Sequence, residues 1–162
     1  GINNQHQKVK HTETNMREHT IEAQPCPGER HEKAWGYELW ITNNEKYCGK
    51  LLVFKKNKEF SMHFHLLKDE AWYISKGKFE FKYIDTAEAD EYTTTVSEGD
   101  CIRLLPGQPH QMKALTEGAT IFEVSTHHFD SDSYRVKPGA SQAPKADDYE
   151  HTEAYYDTER NK

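Results

Sequence analysis

Between Trp35 and Thr126 the sequence is a run of short β-prone stretches interrupted at close intervals by turn-forming residues, and this punctuation excludes most folds. Aromatic and β-branched residues in rough alternation fit half-buried strands, whereas Gly, Pro, Asn and Asp clusters fit the connections. Strands are predicted over residues 35–42, 47–54, 59–65, 70–75, 78–84, 92–96, 100–105, 110–114 and 120–126. The breaks fall at Asn43-Asn44, Lys56-Asn57-Lys58, Lys76-Gly77, residues 87–90, Glu98-Gly99, residues 106–109 and Glu117-Gly118. No central segment carries a helical period. Many short strands with regular turns predict an all-β fold, an antiparallel sandwich or barrel.

The chain has 162 residues, the size of one domain with one core. Its apolar residues concentrate between residues 35 and 125, leaving both ends polar. The expected organisation is an N-terminal arm over 1–33, a barrel over 34–136 and a polar tail over 137–162. A weak helix is expected over 14–23. Tyr149, Tyr155 and Tyr156 are the tail residues able to anchor it to the barrel or to a second subunit. Those ends, and the edges that sheets of this kind expose, lead to the expectation of a homodimer.

A net charge of −6, with no basic stripe interleaved with aromatics, argues against a nucleic-acid partner. Cys26, Cys48 and Cys101 are odd in number and lack a CxxC pair, so neither a disulfide framework nor a thiolate zinc site is expected. No apolar run approaches the roughly 20 residues of a membrane-spanning helix, and no membrane partner is expected. A soluble chain in the reduced cytoplasm is the reading that follows.

His63 and His65 stand two apart, so on an extended segment both imidazoles point to one face, and Glu70 follows after a short break. Imidazole and carboxylate together suit a divalent cation such as Zn, Fe, Mn or Ni. A fourth ligand has to come from elsewhere in the chain. Asp69 points away from Glu70 by strand parity. His6, His11, His19 and His31 lack regular spacing and read as solvated, as does the His127-His128 pair at the end of the last core strand.

These residues sit in a larger pattern. Gly49, thirteen residues, His63-x-His65, four residues, Glu70, six residues and Gly77 are followed by Gly99 to Pro106-Gly107-x-x-His110. The two segments resemble the two motifs of the cupin family, with Leu105 where that family usually has proline. The resemblance covers about Trp35 to Ser125. It implies a double-stranded β-helix, a jelly-roll barrel, with one divalent metal held inside by His63, His65, Glu70 and His110.

A finer likeness lies in Glu32-Lys33-Ala34-Trp35-Gly36-Tyr37-Glu38, Gly49-Lys50-Leu51, Glu70-x-Trp72 and Glu123-Val124-Ser125-Thr126 with Asp130, Asp132 and Arg135. Together these resemble the cupin domain of mannose-6-phosphate isomerases, although Ala34 replaces a proline and His63 stands where glutamine is common. That likeness implies an aldose–ketose isomerase with a metal as Lewis acid. Glu70 or Glu123 would be its base and Tyr37 a proton donor. Lys50 and Arg135 would hold an anionic sugar, with Trp72 and Met112 lining the barrel. The runner-up is an Fe(II) dioxygenase or a metal-dependent lyase on a small organic acid, since three histidines and a glutamate also suit iron with open positions, and some cupins bind a small ligand without turnover.

Overall fold

The computed structural model describes residues 28–140, together with Ala23, Pro25 and Cys26. The anticipated helix over 14–23, Ala23 apart, and the tail tyrosines lie outside these residues. The described chain forms strands β1 (Glu29–Lys33), β2 (Gly36–Asn43), β3 (Cys48–Phe54), β4 (Met62–Phe64), β5 (Glu70–Lys76) and β6 (Lys78–Ile84). It continues with β7 (Glu91–Ser97), β8 (Cys101–Leu104), β9 (His110–Ala114), β10 (Ala119–Ser125) and β11 (Tyr134–Lys137), and no helix occurs among the described residues. No described segment is therefore a helix long and apolar enough to cross a membrane.

Two antiparallel sheets pack face to face. One runs β1-β2-β3-β10-β5-β8 and the other β11-β4-β9-β6-β7. Neighbours in each sheet are mostly distant in sequence, β10 lying between β3 and β5 and β9 between β4 and β6, which is the interleaving of a jelly roll. Strand alternation supplies the interior. In β3, Lys50, Leu52 and Phe54 point inward, and in β10 Ile121 and Glu123 do so, while Leu51, Val53, Phe122 and Val124 face out.

The deep part of the barrel is apolar, built on Phe54, Ile74, Phe79, Met112 and Ile121, with Trp35 stacked on Phe54 at 4.4 Å. Each such side chain contributes about 1.5–3 kcal/mol by leaving water. Met112, expected beside the substrate, belongs to this core and is fully buried opposite Phe81. It shares a strand face with His110 but sits two residues deeper, where the barrel is filled.

Tyr37 is likewise not a site residue. Its β2 neighbours Glu38 and Trp40 face the interior, so Tyr37 faces out, where the Arg30 guanidinium lies 3.7 Å above its ring. The last five residues of the expected arm, Glu29–Lys33, are an edge strand paired with β2, and the barrel extends through β11, which pairs with β4.

Candidate metal centre

His63 and His110 are placed by register, lying directly opposite each other on β4 and β9. Their rings are 4.7 Å apart between centroids. His65 follows the end of β4, its ring 5.0 Å from that of His63. His110 is delivered by the connection after β8, where Gly107 turns in the left-handed region at φ 84° and donates its N–H to the His65 carbonyl at 2.6 Å.

Each imidazole commits one nitrogen to a backbone carbonyl. Nδ1 lies 2.7 Å from the Ser61 oxygen in His63, 2.6 Å from the Asp132 oxygen in His65 and 2.8 Å from the Gln108 oxygen in His110. A carbonyl only accepts, so Nδ1 carries a hydrogen in all three, and in neutral His63 and His65 the other ring nitrogen keeps its lone pair. The three histidines offer ligand atoms within 4.8 Å of one another. Burial, with His110 and His65 adding to it, holds the His63 imidazole well below its ordinary range. Burial and the nearby Lys68 bring His65 down to about 4. Both are therefore neutral near pH 7, the form that binds a cation.

Glu70, buried on β5, borders this trio. Its Oε1 is 3.0 Å from His110 Nε2 and its Oε2 is 3.0 Å from Lys68 Nζ. These contacts have ion-pair length without hydrogen-bond geometry, so both Glu70 oxygens and His110 Nε2 are buried without a hydrogen-bond partner among the described residues. Such orphaned groups cost free energy unless something else satisfies them. Three imidazoles and a carboxylate fit Zn, Mn, Fe or Ni. Asp69, as strand parity predicts, points out to Arg103.

Lys68 was not anticipated. Its ammonium sits between Glu70 and Glu123, 3.2 Å from Glu123 Oε2, and 3.4 Å from His128 Nδ1. Burial alone would lower its pKa, but Glu123 and Glu70 outweigh burial and raise it, so Lys68 stays charged. The two carboxyls then diverge. Burial opposes ionisation of Glu70, yet Lys68 and His110 hold it well below the usual range. Burial dominates at Glu123 and raises it despite Lys68, with Glu70 adding repulsion.

One inward-facing rung crosses the larger sheet, Trp40 opposite Lys50, Lys50 opposite Glu123 and Glu123 opposite Trp72. Trp72 Nε1 donates to Glu123 Oε1 at 3.2 Å, and the Lys50 ammonium lies 4.2 Å from the Trp40 ring centroid and 3.8 Å from Glu38 Oε2. The rung, His63 and His65 open into one cavity of about 600 Å³ that also reaches Arg135 and Trp35.

His128, read as solvated, is mostly buried against this cavity, its Nε2 3.0 Å from Asp130 Oδ1. His127 instead turns away to the Asn44 carbonyl at 2.6 Å. His31 is half-buried against Trp40, ring centroids 4.3 Å apart. A histidine just beyond a strand gives no parity from which its direction can be read.

No protein-family model and no curated protein matches the sequence. The solved structures it resembles include oxalate decarboxylase from Bacillus subtilis, in a study of its Mn(II) centres, at 18% identity over 73% of this chain and 34% of that one, TM-score 0.60. The same enzyme at pH 4.6 matches at 17% identity over 79% and 38%, TM-score 0.61. A variant of that enzyme with one tryptophan changed to phenylalanine gives 19% over 73% and 34%, also with TM-score 0.61. The chain spans about a third of the length of these structures. Together with the interleaved sheets, the likeness shows that this chain has the cupin fold.

Proposed function

We propose that the chain is a metal-dependent cupin enzyme that moves a proton between neighbouring carbons of a small anionic sugar, an aldose–ketose isomerisation. The observation that carries this reading is the pair of unequal carboxyls, Glu70 and Glu123, sharing the buried Lys68 ammonium beside three converging imidazoles. A bound divalent metal would act as a Lewis acid, polarising adjacent substrate oxygens. Glu123 faces the cavity with a raised affinity for a proton, so as its carboxylate it is suited to take the proton from C2 of an aldose and return it to C1, while the hydroxyl proton of O2 passes to O1. Lys68 stays charged and steadies whichever carboxylate is ionised. Lys50 and Arg135 line the same cavity and suit an anionic group.

A second reading, a metal-dependent lyase on a small organic acid, draws support from the resemblance to the Mn(II)-containing oxalate decarboxylase.

The test is to load the protein separately with Mn, Zn and Fe and incubate it in D2O with a panel of sugar phosphates and small carboxylic acids. Isomerisation with deuterium entering at C1 or C2 is expected. Unchanged sugars together with CO2 release from an acid would replace the isomerase by the lyase, and oxygen uptake would point to a dioxygenase.

A further inference from the structure

We propose that Asp132 is the positioning residue of the metal centre, the group that aims both His65 and Lys68. The inference rests on the metal-centre part of the reading above and not on the reaction assigned to it.

Between the end of β4 at Phe64 and the start of β5 at Glu70 the backbone belongs to no strand. Two side chains from this connection serve the site, His65 at one end and Lys68 at the other. The residues between them do not anchor it, since Leu66 and Leu67 are 53% and 68% exposed. Asp132 does. It is buried in the turn before β11, where its own N–H bonds the Phe129 carbonyl at 3.0 Å.

Its Oδ1 accepts the N–H of Leu66 at 2.8 Å and of Leu67 at 3.2 Å. Oδ2 accepts from Leu67 at 3.1 Å and from Lys68 at 3.0 Å. Its backbone carbonyl takes the fifth contact, from His65 Nδ1 at 2.6 Å. Three successive amides converging on one anion form the kind of concavity that usually captures a phosphate or carboxylate from solution. Here the chain supplies the carboxylate itself. Among the described residues no ion pair to Asp132 occurs, so these amides stabilise its buried charge, and charge-assisted bonds of this type are the stronger ones.

The consequence is a coupling of two functions. The carboxylate fixes where residues 66–68 run, and the carbonyl of the same residue fixes which nitrogen of His65 is free. His63 and His110 need no such help, because each bonds a carbonyl only two residues back in sequence. An outer partner of a metal-bound histidine typically accounts for about 10–100-fold in metal affinity.

The test compares the wild-type chain with Asp132→Asn, which keeps shape but replaces one acceptor oxygen with a donor facing amides. Two quantities are read, the imidazole 15N spectrum of the metal-free protein and Zn affinity by chelator competition. Expected for wild type is the Nδ1–H tautomer at His63 and His65. Expected for Asp132→Asn is loss of the single tautomer at His65 alone, with Zn affinity weakened on the order of 10–100-fold. If Asp132→Asn does not fold, Asp132→Ser, which retains one acceptor, is judged by the same criteria. An unchanged His65 tautomer with unchanged Zn affinity overturns the proposal. A change at all three histidines together also overturns it, since that marks a general structural role. A wild-type chain that takes up no Zn overturns it too, by removing the centre being positioned. The tautomer and affinity readouts use no substrate, so inert sugars would sink the isomerase reading and leave this one standing.

Discussion

His65 and His128 are held in the folded chain as neutral imidazoles, and their protonation is the acid-sensitive point of the molecule. Burial is the larger cause at both, and both fall from 6.5 to about 4, with Lys68 helping at His65 and Lys50 then Lys68 at His128. In the unfolded chain each returns to its ordinary value, so between about pH 6.5 and 4 the unfolded state binds more protons. Stability of the metal-free protein therefore falls as pH drops through that window. Urea midpoints at about pH 7, 5.5 and 4.5 should decline in order; a flat series would show that these imidazoles are not held neutral. Carboxylates whose pKa is depressed act mainly lower, below about pH 4.5, whereas buried Glu123, whose pKa is raised, works against the decline above that value.

Strands and their connections differ in how much of them the sequence reveals. The strands at 78–84 and 110–114 appear at the predicted bounds, because one face of each is apolar and alternation is visible. β1 and β11 show no such pattern, being exposed along nearly their whole length, and their pairing rests on backbone hydrogen bonds that no residue type announces. His63 and His65 were legible from their two-residue spacing and His110 from the resemblance of its segment to a cupin motif, whereas Lys68 and His128 lie in connections whose course is set by distant partners. Tyr37 illustrates the opposite error: in a short strand a neighbouring residue can carry the resemblance while the other parity faces the site.

β2 also carries a backbone constraint. Gly36 has φ 150°, and a Cβ placed there would sit 1.9 Å from the Val53 carbonyl oxygen. Gly36→Ala must strain the backbone or part β2 from β3, and the strain alone is expected to cost about 1–3 kcal/mol. A urea midpoint equal to that of the wild type would show that the strands accommodate the methyl group.

For the molecule as a whole, the buried Glu70 oxygens and His110 Nε2, which lack a hydrogen-bond partner among the described residues, would make uptake of a divalent cation a contribution to folding. A divalent cation that binds only the folded state stabilises it by about 2.7 kcal/mol when present at a hundred times its dissociation constant. Melting curves recorded with Zn and with excess chelator should separate accordingly. Coincident curves would mean that this barrel gains no stability from a cation. The polar cavity thus interrupts an otherwise continuous core between two sheets, and occupation of the centre offsets that interruption.

The clasp at Asp132 also sets an order of events in time. The carbonyls that orient His63 and His110 are two residues away in sequence, but the one that orients His65 is 67 residues away. Local contacts form early and distant ones late, because closing a long loop is slow. The free nitrogens of His63 and His110 can therefore be set within their own short stretches of chain, whereas that of His65 is set only when residues 129–132 dock.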